Sequence, residues 1–133
     1  MVKSARYSEV VGRVVAVIGA SRSRHKFGNK AVRAFSAAGD TVIPIHPHAA
    51  EIEGKRAYRS VVDVPDPIDM ATVYLPPDVA LTVLPDLKRK GIGEVWLNPG
   101  ADDDAVVEEA RRLGLNAIVA CSIMGAGQRP SDF

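Results

Sequence analysis

Gly19-Ala20-Ser21 leads straight into Arg22-Ser23-Arg24-His25-Lys26-Phe27-Gly28, so three small residues are followed by positive charges at alternate positions. Small residues let backbone N–H groups come close to a phosphate, and a helix beginning after such a loop adds a favourable dipole. The segment is a candidate anion cradle, against which stands the plainer reading of a solvated basic loop. His46 and His48 have the H-x-H spacing of a metal-binding pair that His25 would need to complete, but no fourth ligand or general-base partner accompanies them. Cys121 ends an apolar run and reads as a small buried thiol rather than a nucleophile. In Asp102-Asp103-Asp104 adjacent side chains point in different directions, which suits the start of a helix and not paired acid–base work. No residue set supplies a nucleophile, a base to activate it and a third group to orient that base. Ligand binding is therefore the expectation, with no catalytic and no metal residue assigned.

Positioning these residues requires the elements around them. Apolar runs bounded by turn residues alternate with helical patterns, the mark of parallel βαβ units. Val14-Val15-Ala16-Val17-Ile18 is too β-branched and too short for a core helix and reads as a buried strand. Gly28–Ala38 follows as a helix, with Asn29 as its expected N-cap and Gly39 closing it. Thr41–Ile45 is the second strand, with Pro44 near its end, and Gly54–Tyr58 is expected as a third, short edge strand with basic side chains. Asp69–Leu75 is the fourth. Pro76-Pro77-Asp78 then opens a helix carrying Ala80, Val83, Leu84 and Leu87 on one face, in which Pro85 predicts a kink or a late start. Strand Glu94–Asn98, an acid-started helix ending at Gly114 and strand Asn116–Ala120 complete the series, leaving Gly125–Phe133 as a loose tail.

The expected class is α/β: one domain, its core about residues 11–123, on a Rossmann-like doubly wound parallel sheet of order 3-2-1-4-5-6 with helices on both faces. Such sheets bind ligands outside the carboxyl ends of strands one and four, where the winding reverses. Those ends are Gly19-Ala20-Ser21 and Leu75-Pro76-Pro77, and Asn98-Pro99-Gly100 ends the next strand at the same edge, as a pocket border or as a tight turn.

Composition narrows the ligand. Lys+Arg 17 against Asp+Glu 16 gives a net charge of +1, which offers no bulk attraction for nucleic acid or anionic lipid. The longest apolar runs, such as Val14–Ala20, are far short of the ~20 residues of a spanning helix, and Met1–Arg6 leads into no secretory apolar stretch. A lone cysteine fits a reducing cytoplasm. The glycine fingerprint of dinucleotide sites is absent, because the next glycine after Gly19 is Gly28. The second strand ends in His46-Pro47-His48, with no acid to hold a ribose 2′-hydroxyl, and no Gly-Lys-Ser/Thr follows the first strand.

The ordered set Val17-Ile18-Gly19-Ala20-Ser21, Val42-Ile43-Pro44-Ile45-His46-Pro47, Gly54–Tyr58 with Val62-Asp63-Val64-Pro65, and Val73-Tyr74-Leu75-Pro76-Pro77 resembles the small CoA-binding protein family. That family is similar to the CoA-binding domain of the succinyl-CoA synthetase α subunit, and the likeness runs from about Val11 to Ile123. The resemblance implies that Gly19, Ala20 and Ser21 lie against the CoA pyrophosphate, that Arg22, Arg24 and Lys26 answer its phosphates, and that Ile45, His46 and Pro47 flank the adenosine. Leu75, Pro76 and Pro77 would form the opposite wall, towards the pantetheine. His46 stands where Asn is common in the family, and no acidic residue precedes Cys121 as one often does there. In acyl-CoA synthetases with a similar domain, the resemblance implies that the catalytic histidine and nucleotide-grasp machinery lie in other domains, which these residues do not contain. The expected function is non-catalytic binding of CoA or acyl-CoA as a sensor, carrier or partner subunit, with a homodimer compatible with the open sheet edges. An atypical NADP-binding oxidoreductase and an interaction module with a vestigial pocket are the alternatives.

Overall fold

A computed structural model describes residues 12–133. Met1–Arg6 and the expected start of the core at Val11 lie outside the described residues. The elements run β1 (Val14–Ile18), α1 (Phe27–Ala37), β2 (Thr41–Ile45), β3 (Glu51–Ile52), β4 (Lys55–Arg56), β5 (Met70–Val73), α2 (Pro77–Lys90), β6 (Glu94–Leu97), α3 (Asp104–Arg112), β7 (Ala117–Val119) and α4 (Ser122–Gly125), with 3₁₀ turns at Val61–Asp63 and Pro130–Asp132.

Five strands form one parallel sheet in the order β2-β1-β5-β6-β7. Strand side chains alternate between two apolar layers, as the period of two requires. Val15 and Val17 pack with Val32 and Phe35 of α1 and Ile123 of α4, while Ala16 and Ile18 face the layer built by Leu84 and Leu87 of α2 and Val106 and Ala110 of α3. With both faces covered, the central strands are buried along nearly their whole length and almost entirely apolar, Thr72 being the polar exception. The fold is the expected Rossmann-like α/β class. Among the described residues no helix is long and apolar enough to cross a membrane.

The strand order departs from the expected one at a single place. Gly54–Tyr58 does not form a third sheet strand; Lys55–Arg56 instead folds back antiparallel on Glu51–Ile52. Glu53 and Gly54 both take positive φ (52° and 75°), the conformation of a two-residue hairpin turn whose twist suits its strands. Only Tyr58 reaches the sheet: its N–H donates to the Pro44 carbonyl, and its own carbonyl accepts from the His46 N–H.

Three local expectations also change. Helix α1 begins at Phe27 with Lys26 as N-cap, so Asn29 is not a cap; it is fully buried inside the first turn. Helix α2 runs unbroken through Pro85 from Pro77, so no late start occurs; Pro85 lies on an exposed position of the helix. The end of the chain, expected as a loose tail, carries a 3₁₀ turn and brings Phe133 against the α1 layer.

Candidate functional site

The winding reverses between β1 and β5, and a cleft of about 590 Å³ opens there at the carboxyl ends of the strands. Gly19, Ala20, Ser21 and Lys26 line one side, His46 and Pro47 one end, and Leu75 and Pro76 the facing wall. Four of the residues singled out from the sequence lie off the lining. Ile45 is buried beneath the β2 tip, and Pro77 is the first residue of α2. Arg22 is exposed, its charge close enough to act on His46. Arg24 is turned onto the β3–β4 hairpin, its guanidinium 2.7 Å from Glu53. The lining also includes Phe27, Gly28, Tyr74, Pro99, Gly100 and Ala101, so the Asn98-Pro99-Gly100 turn does border the pocket.

The floor of the cleft is backbone. Gly19 follows β1 at φ 89°, where a Cβ would strike the Tyr74 carbonyl, and a Cβ on Gly28 would strike the Gly19 carbonyl. Without those two atoms, the first turn of α1 seats directly on the β1 tip. The N–H groups of Ala20, Ser21, Phe27 and Gly28 find no acceptor among the described residues, and all four residues line the cleft. Such a set of open donors with the positive end of α1 behind it matches an anionic oxygen group.

Asn29 holds this loop from below. Its amide donates to the Ser21 carbonyl (2.8 Å) and to Glu53 (3.0 Å) and accepts from Arg33 (2.7 Å). The Asn29 hydrogen bond, with the nearby Arg24 and Arg33 charges, keeps the Glu53 carboxyl below its ordinary pKa. The three-charge loop is therefore partly neutralised by a residue brought from the hairpin, leaving Arg22 and Lys26 as its unpaired cations among the described residues.

His46 has a defined orientation. Its Nδ1 accepts from the N–H groups of His48 (3.0 Å) and Ala49 (2.9 Å), which requires the neutral ring with the proton on Nε2. Burial lowers its pKa below 6.5, and the neighbouring His48 and Arg22 charges add to the effect. With Nδ1 committed, His46 serves as a turn-forming acceptor and offers the cleft one donor. His25 sits against Ser23 instead, and among the described residues no three His, Cys, Asp or Glu side chains converge.

Beneath the far wall lies a buried polar cluster that the sequence reading missed. The Asn98 amide donates to Thr72 Oγ1 (2.7 Å) and the Val73 carbonyl (2.9 Å), and its oxygen accepts from the Ser122 N–H (2.8 Å). Ser122 Oγ lies 2.6 Å from Thr72 Oγ1 and 3.0 Å from the Tyr74 hydroxyl. Burial raises the pKa of Tyr74, so this hydroxyl stays protonated. Thr72 and Tyr74, two residues apart and hence on one face of β5, were the available signal. The cluster ties the tips of β5 and β6 to α4 and thereby sets the wall carrying Leu75, Pro76 and Pro99.

Residues 13–127 match the model of a family described as the CoA binding domain. This chain belongs to the CoA-binding domain family. An ADP-forming acetate–CoA ligase of Methanocaldococcus jannaschii is 37% identical to it over 112 residues, covering 78% of this chain and 16% of the ligase. A conserved hypothetical protein from Pyrococcus furiosus superposes with a TM-score of 0.77 at 28% identity, over 85% of this chain and 98% of that one. A dinucleotide-forming acetyl-coenzyme A synthetase of Ca. Korarchaeum cryptofilum, solved with phosphate and ADP, superposes with a TM-score of 0.71 at 27% identity, over 85% of this chain and 27% of the synthetase. This CoA-binding domain thus spans about one-sixth of the M. jannaschii ligase and nearly all of the P. furiosus protein.

Proposed function

We propose that the protein binds coenzyme A in the switch-point cleft and performs no chemistry on it, serving as a carrier, sensor or partner subunit for acyl-CoA metabolism in the cytoplasm. The observation that carries this reading is the set of four open N–H groups on Ala20, Ser21, Phe27 and Gly28, at a turn whose close backbone packing a Cβ on Gly19 or Gly28 would prevent. The residues fit the ligand: the N–H set and Lys26 hold the diphosphate, His46 and Pro47 border the adenosine, and Tyr74, Leu75 and Pro76 face the pantetheine arm. When bound, CoA supplies a thiol that carries acyl groups. Among the described residues, no side chains beside the cleft form a nucleophile with a base and an orienting group, which supports a binding role.

The test is isothermal titration and thermal melting with CoA, dephospho-CoA, NADP and NAD. CoA at about 100 times its Kd should stabilise the fold by about 2.7 kcal/mol. Lys26→Ala should weaken CoA more than Arg24→Ala does, because Arg24 is already engaged by Glu53. Silence from CoA with a response to NADP would replace this reading with the oxidoreductase one.

A further inference from the structure

Next to the cleft, a second cavity of about 240 Å³ lies between α1, the β5 and β6 tips and the C-terminal segment. It shares Phe27, Tyr74 and Pro99 with the cleft and is closed by Cys121, Met124 and Pro130. Its floor is apolar, because the amide of Asn98 and the Tyr74 hydroxyl are consumed by the buried polar cluster. Two large apolar side chains stand in water at its rim, Phe27 at 52% and Met124 at 65% exposure.

We infer that this annex receives the acyl group of an acyl-CoA, and that the preferred acyl group is an apolar chain of roughly six to eight carbons or an aryl group of that size. The inference rests on CoA binding in the adjoining cleft. A pantetheine arm running along Tyr74 and Pro76 brings its thioester to the shared Phe27–Tyr74–Pro99 opening, so the acyl carbons continue into the annex and not into solvent. A cavity of ~150 Å³ takes a six-carbon ring, so this half-open one holds a medium chain and no more. Among the described residues, the lining of the annex offers an acid no cationic partner and no open polar donor, so a dicarboxylic acyl group such as succinyl is disfavoured.

The experiment titrates the protein with CoA and with acetyl-, hexanoyl-, decanoyl- and succinyl-CoA. Each methylene fully withdrawn from water is worth about fourfold in affinity, so the four that separate hexanoyl from acetyl give a ceiling near 250-fold. The partly open annex should give hexanoyl-CoA at least about tenfold tighter binding than acetyl-CoA, no further gain for decanoyl-CoA, and no gain for succinyl-CoA. Met124→Asp sets a charge on a residue that lines the annex and not the cleft; it should erase the hexanoyl advantage and leave CoA affinity unchanged. Met124→Gln provides the same test if the aspartate variant folds poorly. Equal affinity for acetyl- and hexanoyl-CoA, or a hexanoyl advantage that survives both variants, overturns the inference while CoA binding stands. No binding of CoA or any acyl-CoA overturns the underlying reading as well. A wild-type dimer that Met124→Asp dissociates assigns the annex to a second copy and also overturns the inference.

Discussion

Replacing Asn98 by alanine removes a side chain that joins the β5 tip, the β6 tip and α4. Three buried hydrogen bonds are lost, to Thr72, to the Val73 carbonyl and from the Ser122 N–H. At a net ~1 kcal/mol each, with the Ser122 N–H left without an acceptor, the loss should be about 3–4 kcal/mol. A chain of this length gains roughly 0.28 kcal/mol per kelvin of unfolding entropy, so Tm should fall by about 10–15 °C. Asn98→Asp separates hydrogen bonding from volume. Its carboxylate still accepts from Ser122 but cannot donate to the Val73 carbonyl, and it buries a charge where Asn98 is 1% exposed. The aspartate variant should be at least as unstable as the alanine one at pH 7 and should recover on acidification, when protonation restores one donor. The assay is urea unfolding of the three proteins at pH 7 and pH 5. A loss below about 1 kcal/mol for Asn98→Ala would refute the claim that this amide pins the wall.

Two further perturbations test the floor and the end of the cleft. Gly28→Ala should cost about 2–4 kcal/mol, because the added Cβ meets the Gly19 backbone and α1 must lift from β1; an unchanged melting temperature, with CoA stabilisation intact, contradicts the cradle. His46 has a folded pKa below its ordinary 6.5, so the stability it contributes is present above that value and is lost as pH falls through the folded pKa. Urea unfolding from pH 7.5 to 5 should show that loss in the wild type and a smaller one in His46→Asn, which keeps an acceptor but does not titrate; identical profiles would count against His46 as the turn-forming group.

The architecture was legible because both determinants are local. Short β-branched runs between turn residues mark parallel strands, and the place where winding reverses follows from their order. Gly19-Ala20-Ser21 and Leu75-Pro76 were found this way, at the ends of strands one and four, while His46-Pro47 came from the family resemblance. What escaped depends on distant partners. Tyr74 reads as one more apolar strand residue until Ser122, from a distant segment, meets its hydroxyl and links it to Thr72 and Asn98. Phe27 falls in the sequence at the end of the basic loop, whereas α1 begins with it, one residue earlier than expected, and its half-exposed ring lines the cleft. The third strand failed for a local reason that was visible: Glu53-Gly54 is a hairpin turn, and a two-residue turn ends a strand.

That hairpin also explains why counting charges along the chain misjudged the loop. Arg22, Arg24 and Lys26 look equivalent in the sequence, yet the turn at Glu53 carries a carboxylate 29 positions onward to the side of α1. There it takes Arg24 at 2.7 Å and also accepts from Asn29, which in turn holds the Ser21 carbonyl. An exposed ion pair of this kind adds little to stability on its own, with a typical worth of ~0–1 kcal/mol. Its consequence is positional. The pair draws one cation away from the cleft and fixes the Asn29 amide beneath the loop, so a phosphate bound there would meet backbone donors with two nearby cations instead of three mobile side chains. Donors held in place before the ligand arrives lose less freedom on binding than long basic side chains do. Affinity for the diphosphate should therefore depend more on Gly19, Gly28 and Asn29, none of them charged, than on any single Arg or Lys of the loop.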